Sequence, residues 1–118
     1  PHKYFRRRGD EILLDLSVNV AQAALGDEVT VPTVDGDERL NIPAGTQPGK
    51  VFRLKGKGVP RLQRTGRGDQ LVIVSVRVPT SLNAEQKRLL KELGKTLGTE
   101  VEPQEKSFFD KLKEFIEG

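Results

Sequence analysis

The sequence has no cysteine, methionine or tryptophan, and its single histidine is His2, beside the amino end. Without cysteine, the chain forms no disulfide and has no thiol for catalysis or metal binding. One histidine cannot supply a histidine-based catalytic triad or a zinc site. A secreted disulfide scaffold is therefore not expected, and a reducing, cytoplasmic location fits.

Aromatic residues and long apolar runs are also scarce. Only 35% of the 118 residues are hydrophobic and 5% are aromatic, and no apolar run approaches the roughly 18 residues of a membrane-spanning helix. The balance of 20 basic against 17 acidic residues gives a net charge of +3. These values predict one soluble domain with a modest core. The chain begins at Pro1 without a methionine, which suggests a piece of a longer protein.

Alternation of apolar and polar residues predicts a chain made mainly of short strands. A single short helix is predicted at Ala21–Leu25, ended by Gly26, and Asp35-Gly36 predicts a hairpin. Because no long helix separates the strands, a sandwich or barrel is favoured over a parallel sheet. The fold class is therefore mainly β, a small two-sheet β-sandwich with one short helix, followed by C-terminal helices. The predicted strands cover 11–20, 28–34, 39–42, 51–54 and 70–78, the last of them central.

The composition changes after Pro79, where helical spacing replaces alternation. Asn83 and Gln86 form a capping-box-like start, and four leucines follow at helical spacing. The predicted organisation is a lead-in segment from a preceding domain (1–10), a β-sandwich (11–80), a helix (81–98), a linker (99–106) and a terminal helix (107–118).

The terminal helix is too short to be stable alone in water, since isolated helices become marginal only at about 12 to 15 residues. It nevertheless carries three of the five phenylalanines. We expect it to dock through an apolar stripe, either on its own molecule or on a second copy. The residues of this stripe and its margin are Phe108, Phe109, Leu112, Phe115 and Ile116.

Three loop motifs imitate known sites. Gly45–Lys50 resembles a phosphate-binding loop but is one residue short, and Val51 stands where Ser or Thr would ligate magnesium. Gly56–Gly58 follows a strand without opening a helix, which a dinucleotide fingerprint requires. Arg67–Asp69 spells a cell-adhesion tripeptide that chance alone produces. Tight turns account for all three.

The loop region from 50 to 67 contains seven cations and no acid. Such charge could attract nucleic acid, although only Phe52 lies within the run for base stacking. A solvated loop, or a surface for acidic partners, is the alternative interpretation. No carboxylate pair or activated serine indicates catalysis, so an enzyme is not expected. The apolar strand residues Leu14, Leu16, Val29 and Val31 are either plain core or an open binding face.

The order of several motifs closely resembles the carboxy-terminal region of DnaJ-type J-domain co-chaperones. The resemblance runs essentially from end to end, and the ending SFFDKLK at 107–113 is similar to that of bacterial members. The other motifs are FRRRGDEI (5–12), AALG (23–26), VPTVDG (31–36), IPAGTQPGK (42–50), RLKGKGVP (53–60) and GRGD (66–69).

This resemblance implies a fold of two small packed sheets and a non-enzymatic function. Such domains hold unfolded or partly folded polypeptides, called clients, present them to a DnaK-type chaperone, and form homodimers through their C-terminal segment. No membrane partner is implied. A nucleic-acid-binding β-domain using the loop 50–67 remains the alternative. By position in the family, the client pocket would be lined by Leu14, Leu16, Val29, Val31 and Ile73.

Two parts of the family are missing from this sequence. The J-domain with its His-Pro-Asp tripeptide is absent, so this piece is not expected to stimulate the ATPase of the partner chaperone. The cysteine-rich zinc-binding insert is absent too, so the fragment is expected to bind no cofactor, whereas the longer parent chain could carry zinc.

Overall fold

The computed structural model describes residues 4–60, 66–101 and 103. The chain divides into two compact units, Pro1–Val78 and Pro79–Gly118. Among the described residues, the first unit contains six strands and one short helix, and the second contains one longer helix. In chain order the elements are β1 (Phe5–Arg8), β2 (Glu11–Asn19), α1 (Val20–Leu25), β3 (Asp27–Thr33), β4 (Gly36–Ile42), β5 (Val51–Leu54), β6 (Gln70–Arg77) and α2 (Ala84–Leu97).

The strands form two sheets, as the sequence predicts. One sheet has four strands in the order β1-β2-β6-β5, and the other is the β3–β4 hairpin. The hairpin closes where Asp35-Gly36 predicts it, with Thr33 opposite Gly36. Gly36 has a φ of 110°, a backbone conformation that favours glycine. The mainly β, two-sheet fold class is therefore confirmed.

The lead-in residues and the last strand both belong to the four-stranded sheet. Strand β1 pairs antiparallel with β2, with Phe5 opposite Leu14. Strand β6 lies between β2 and β5, as expected of the most apolar strand. Its pairing with β2 is parallel, which the turn signals did not predict. Parallel strands need a long connection, and the one between β2 and β6 consists of α1, the hairpin and β5 in place of a single crossover helix.

The largest described core cluster of the first unit lies between the two sheets. The fully buried side chains of Val31 from the hairpin and Val72 from β6 pack in one cluster with Leu14, Leu40 and Ile42. A second cluster at the α1 end joins Val18, Ala23 and Val74. Burying apolar area of this kind is the main stabilising contribution to a small domain.

Helix α1 is held by its caps and by the loop after β4. The side chain of Asn19 accepts a hydrogen bond from the Gln22 amide at 2.7 Å, and the Gln22 side chain accepts one from the Asn19 amide at 3.0 Å. At the other end, the Gly45 and Thr46 amides donate to the Ala23 carbonyl at 2.9 and 3.0 Å. The loop that imitates a phosphate-binding motif is therefore a turn packed on α1.

Helix α2 begins at the predicted capping box. Asn83 accepts a hydrogen bond from the Gln86 amide, and the Gln86 side chain accepts one from the Asn83 amide, both at 2.8 Å. Gly94 does not interrupt the helix, which continues to Leu97. None of the 14 residues of α2, all within the described part of the chain, is buried.

Candidate functional site

Three of the five residues predicted to line a pocket are buried, and two of them lie in the core between the sheets. Leu14 is 4% exposed and Val31 is completely buried, and both belong to the cluster between the sheets. Leu14 lies opposite Val72 in the parallel pair, so these two side chains share the inner face of the sheet. Neither is available to a ligand without movement of the hairpin.

Leu16 and Val29 lie at the margin of the same core. Both are half-buried and pack against the cluster that contains Leu14 and Val31. Leu16 also packs against the second cluster, next to Val18. These two side chains combine an apolar support beneath them with a surface that solvent reaches, which is what a shallow apolar pocket requires.

Ile73 lies on the other face of the four-stranded sheet. Its register partners are Asp15 on β2 and Val51 on β5, and it is 7% exposed. Since neighbouring residues of a strand point to opposite faces, Ile73 and Leu14 do not share a surface. The structure thus brings Leu14, Leu16, Val29 and Val31 together and leaves Ile73 apart from them.

Phe52 is a residue of this region that sequence reasoning did not select. It is half-buried, lies opposite Val72 in the sheet, and packs against both core clusters, as Leu16 does. Lys50 places its ammonium nitrogen 5.8 Å from the centre of the Phe52 ring. The alternation in Val51–Leu54 was a usable signal, because it already places Phe52 and Leu54 on one face.

The β3–β4 hairpin leaves a strand edge beside Val29. Within the described residues, β3 pairs with β4 alone. Pro32 in β3 is consistent with this position, since proline within a sheet is confined to edges. An edge strand presents main-chain donors and acceptors that a further extended segment can bind. The site therefore combines half-buried aliphatic side chains with an unpaired strand edge.

The second unit presents a separate apolar surface on α2. Leu89, Leu90, Leu93 and Leu97 are between 40 and 74% exposed, and their spacing places them along one side of the helix. The residues predicted to dimerise, Phe108, Phe109, Leu112, Phe115 and Ile116, lie outside the described residues.

The basic region is partly neutralised by acids from other segments. Arg53 lies 2.7 Å from Asp69 and 3.3 Å from Glu11. The hydrogen bond to Asp69 is the main cause that raises the pKa of Arg53 above its ordinary value. Lys57 lies 3.6 Å from Glu38. These pairs reduce the charge that Arg53 and Lys57 offer to a polyanion, which argues against the nucleic-acid alternative.

The cell-adhesion tripeptide is also engaged within the fold. Arg67 donates to the Gly58 carbonyl at 3.1 Å and to Asp35 at 2.6 Å. Asp69 accepts hydrogen bonds from Arg53 and from the Gly56 amide. Both charged side chains of the tripeptide are therefore occupied by partners in this chain.

Two further properties concern the described residues as a whole. In ranges 4–60 and 66–101, no group of three or more His, Cys, Asp or Glu side chains is placed to hold a metal ion. The helices of the same ranges are too short or too polar to span a bilayer.

Known proteins match the chain along its whole length. The family model for the DnaJ C terminal domain matches residues 1–79, and that for the Chaperone protein DnaJ C-terminal region matches residues 85–118. Proteins named Chaperone protein DnaJ are 53% identical over 115 residues in Roseiflexus castenholzii, 48% over 116 in Acetivibrio thermocellus and 49% over 118 in Listeria monocytogenes. These alignments cover 96, 98 and 100% of this chain and 31, 30 and 31% of the relatives. The chain thus spans about a third of the length of its curated relatives, and it belongs to the DnaJ C-terminal domain family.

Proposed function

We propose that this chain is the client-binding and dimerisation module of a DnaJ-like co-chaperone, which delivers unfolded polypeptides to a DnaK-type chaperone. The observation that carries the proposal is the position of Leu16 and Val29, half-buried on the core beside the unpaired edge of β3. The family membership of the whole chain supports it.

The binding mode that we propose uses main-chain hydrogen bonds for affinity and shallow apolar contacts for selection. An extended client segment along β3 would bond to backbone groups, which are the same in every sequence. Its bulky side chains would cover Leu16 and Val29, gaining roughly 25 cal/mol for each Å² of apolar surface removed from water. Such a site accepts many sequences, which suits a protein that binds unfolded chains.

Dimerisation is the second part of the proposal. We infer that the segment around Phe108, Phe109, Leu112, Phe115 and Ile116 docks on a second protomer, with docking on the same molecule as the alternative. Support comes from the leucines exposed along α2, which need an apolar partner. Two binding modules held together would convert a second weak contact into an intramolecular one.

The proposed function requires no catalytic group and no cofactor. Holding an extended segment forms no covalent bond, so we propose a non-enzymatic role for this piece. Zinc, where the parent protein binds it, would belong to a region outside this chain. The location that we propose is the cytoplasm, where a DnaK-type partner would receive the client.

The proposal is tested with a double variant, Leu16→Asp with Val29→Asp. The probe is a fluorescein-labelled nonapeptide with leucine at alternate positions, threonine between them and a lysine at each end, followed by fluorescence anisotropy. We expect at least a tenfold loss of affinity with the folded state retained, because both side chains lie at the margin of the core.

A matched control changes the same residue types at exposed positions. Leu25 is 80% exposed and Val78 is 77% exposed, so Leu25→Asp with Val78→Asp adds the same two charges without touching the site. The control is expected to bind the peptide as the unaltered chain does. Equal affinities of the two double variants would contradict the proposed site.

A further inference from the structure

The outer edge of β3 is formed by the backbone groups of alternate residues. The Pro32 carbonyl accepts a hydrogen bond from Nε2 of Gln70 at 2.9 Å, so it points away from β4. Because the N–H and C=O of alternate residues in an antiparallel strand point to the same edge, Thr30 and Glu28 direct their backbone groups to this edge as well.

The edge is closed at the Pro32 end. Proline has no amide hydrogen, and its carbonyl is already bonded to Gln70, whose side chain is completely buried. An added strand therefore finds no donor at Pro32 and would have to compete with Gln70 for its carbonyl. Among the described residues, the Oε1 atom of Gln70 has no hydrogen-bond partner, so the bond from Nε2 to β3 is the one that this buried amide makes there.

The edge is also partly closed at the other end. The Glu28 amide donates to Oδ1 of the neighbouring Asp27 at 2.8 Å, which satisfies the donor that an added strand would use. The Asp27 side chain is in turn held by the Gln22 amide group at 3.2 Å. The carbonyl of Glu28 remains open.

Three consecutive groups of the edge thus stay unpaired, the Glu28 carbonyl and the amide and carbonyl of Thr30. They point away from β4, and no described residue forms a hydrogen bond with them. They lie on either side of Val29, whose half-buried side chain belongs to the proposed pocket. The free edge and the apolar contact therefore coincide at two neighbouring residues, Val29 and Thr30.

We propose that β3 admits a short extended segment of client centred on Thr30, held by three main-chain hydrogen bonds and limited in length by Pro32 with Gln70 and by Asp27. The inference rests on the proposed function and specifies the length and register of the bound segment. A short window also limits pairing of β3 with another copy of the chain, since long open edges promote such pairing.

Removing the donor of Thr30 tests the position of the window. Thr30→Pro deletes the outward amide, and Thr30→Val keeps the amide and a β-branched side chain. The same nonapeptide should bind Thr30→Pro roughly five- to tenfold more weakly than Thr30→Val, the loss of one hydrogen bond. Pro32 occupies an equivalent position two residues away, and thermal unfolding checks that the variant folds.

An N-methyl scan of the peptide on the unaltered chain tests the length of the window. Of the three open groups, two are carbonyls, those of Glu28 and Thr30. Each carbonyl can accept one amide of the peptide, so only two peptide amides, two residues apart, are expected to bond. Methylation at those two positions should weaken binding roughly five- to tenfold, and methylation elsewhere should not. Gln70→Leu, which frees the Pro32 carbonyl and removes a buried unpaired oxygen, should add a third sensitive amide two residues further along.

The outcomes separate this inference from the proposed function. Equal binding by Thr30→Pro and Thr30→Val, or three or more sensitive amides on the unaltered chain, would overturn the window. Arg39 on β4 lies opposite Thr30. If Arg39→Pro loses peptide binding while Thr30→Pro retains it, the added strand lies on β4, which would also overturn the window. In each case the Leu16 and Val29 variant decides the proposed function independently. If Thr30→Pro fails to fold, the peptide scan alone decides.

Discussion

Arg67 Nη1 lies 2.6 Å from Oδ2 of Asp35, joining the end of the basic region to the tip of the β3–β4 hairpin. Lys57 approaches the same carboxylate at 3.9 Å. The sequence distance of 32 residues between Arg67 and Asp35 hides this pairing from any local count of charge. Three of the seven cations of residues 50–67, Arg53, Lys57 and Arg67, are therefore paired with acids from outside that region.

The pairing predicts weak binding to nucleic acid. Each phosphate contact contributes about 0.9 to the salt slope of binding to duplex DNA. Because Arg53, Lys57 and Arg67 are paired with acids, at most four of the seven cations are left, and titration with a DNA duplex should give a slope below about 4 in magnitude. Seven engaged cations would give about 6. Asp35→Asn with Glu38→Gln should steepen the slope by releasing Lys57 and Arg67. A steep slope in the unaltered chain would favour the nucleic-acid alternative.

The contrast between Leu14 and Leu16 predicts different effects on stability. Leu14→Ala removes a buried side chain and should lower the free energy of unfolding by about 2 to 5 kcal/mol. Leu16→Ala should cost clearly less, because Leu16 is already half-exposed, yet it should weaken peptide binding. Urea unfolding monitored by circular dichroism measures both. A larger loss of stability for Leu16→Ala would identify it as core.

Because Leu14 and Ile73 are buried, charged substitutions at these two residues do not test client binding. Leu14→Asp with Ile73→Asp places two carboxylates at positions only 4 and 7% exposed. Burying an unpaired charge is strongly unfavourable, so this variant is expected to unfold the first unit. It therefore tests the core and not the binding of a client.

Two glycines predict opposite effects of added methyl groups. A Cβ on Gly68 would overlap the Asp10 carbonyl oxygen, whereas a Cβ on Gly94 in α2 meets nothing within 4 Å. Gly68→Ala should destabilise the first unit by shifting the backbone of the loop. Gly94→Ala should stabilise α2 by roughly 0.5 to 1 kcal/mol. Thermal unfolding of both variants checks the signs, and a neutral Gly68→Ala would contradict the close contact.

Local patterns predicted most of the elements but little of their pairing. The alternation in β2, the hairpin at Asp35-Gly36 and the capping box of Asn83 each depend on a few neighbouring residues, so they can be recognised in the sequence alone. The parallel pairing of β2 with β6 joins Leu14 to Val72, which are far apart in sequence. Nothing in either strand specifies the direction of its distant partner.

Local patterns also predicted the candidate site only in part. Alternation places Leu14 with Leu16 and Val29 with Val31, and the structure keeps both pairs together. It does not decide which member of each pair lies at the margin, because this depends on how far the hairpin covers the sheet. The face occupied by Ile73 depends on the register between β2 and β6, which no local pattern contains.

The proposed dimer predicts that removing the terminal segment yields a monomer. A chain ending at Glu102 should show half the mass of the full chain in light scattering. Phe115→Asp should act in the same direction, whereas Lys113→Ala, outside the predicted apolar stripe, should leave the mass unchanged. A truncated chain that remains dimeric would refute the assignment of the terminal segment.

Acid should weaken α2 through Glu85. The hydrogen bond from Arg88 lowers the pKa of this carboxyl below its ordinary value of 4.5, so the ionised form favours the folded helix. Its contribution is complete above the ordinary pKa and is lost as the pH falls through the lowered one. Carboxyl groups titrate mainly between about pH 5 and about pH 3. Over this range, helix content measured by circular dichroism should decline less for Glu85→Gln than for the unaltered chain. An identical decline would contradict the pairing.

The most direct measurement is a methyl NMR titration of the full chain, labelled at leucine and valine, with the nonapeptide. Binding at the proposed site predicts that the resonances of Leu16 and Val29 shift first and saturate together. The exposed leucines of α2 are the competing apolar surface in the described chain. Shifts confined to Leu89, Leu90 and Leu93, with Leu16 and Val29 unchanged, would contradict the account.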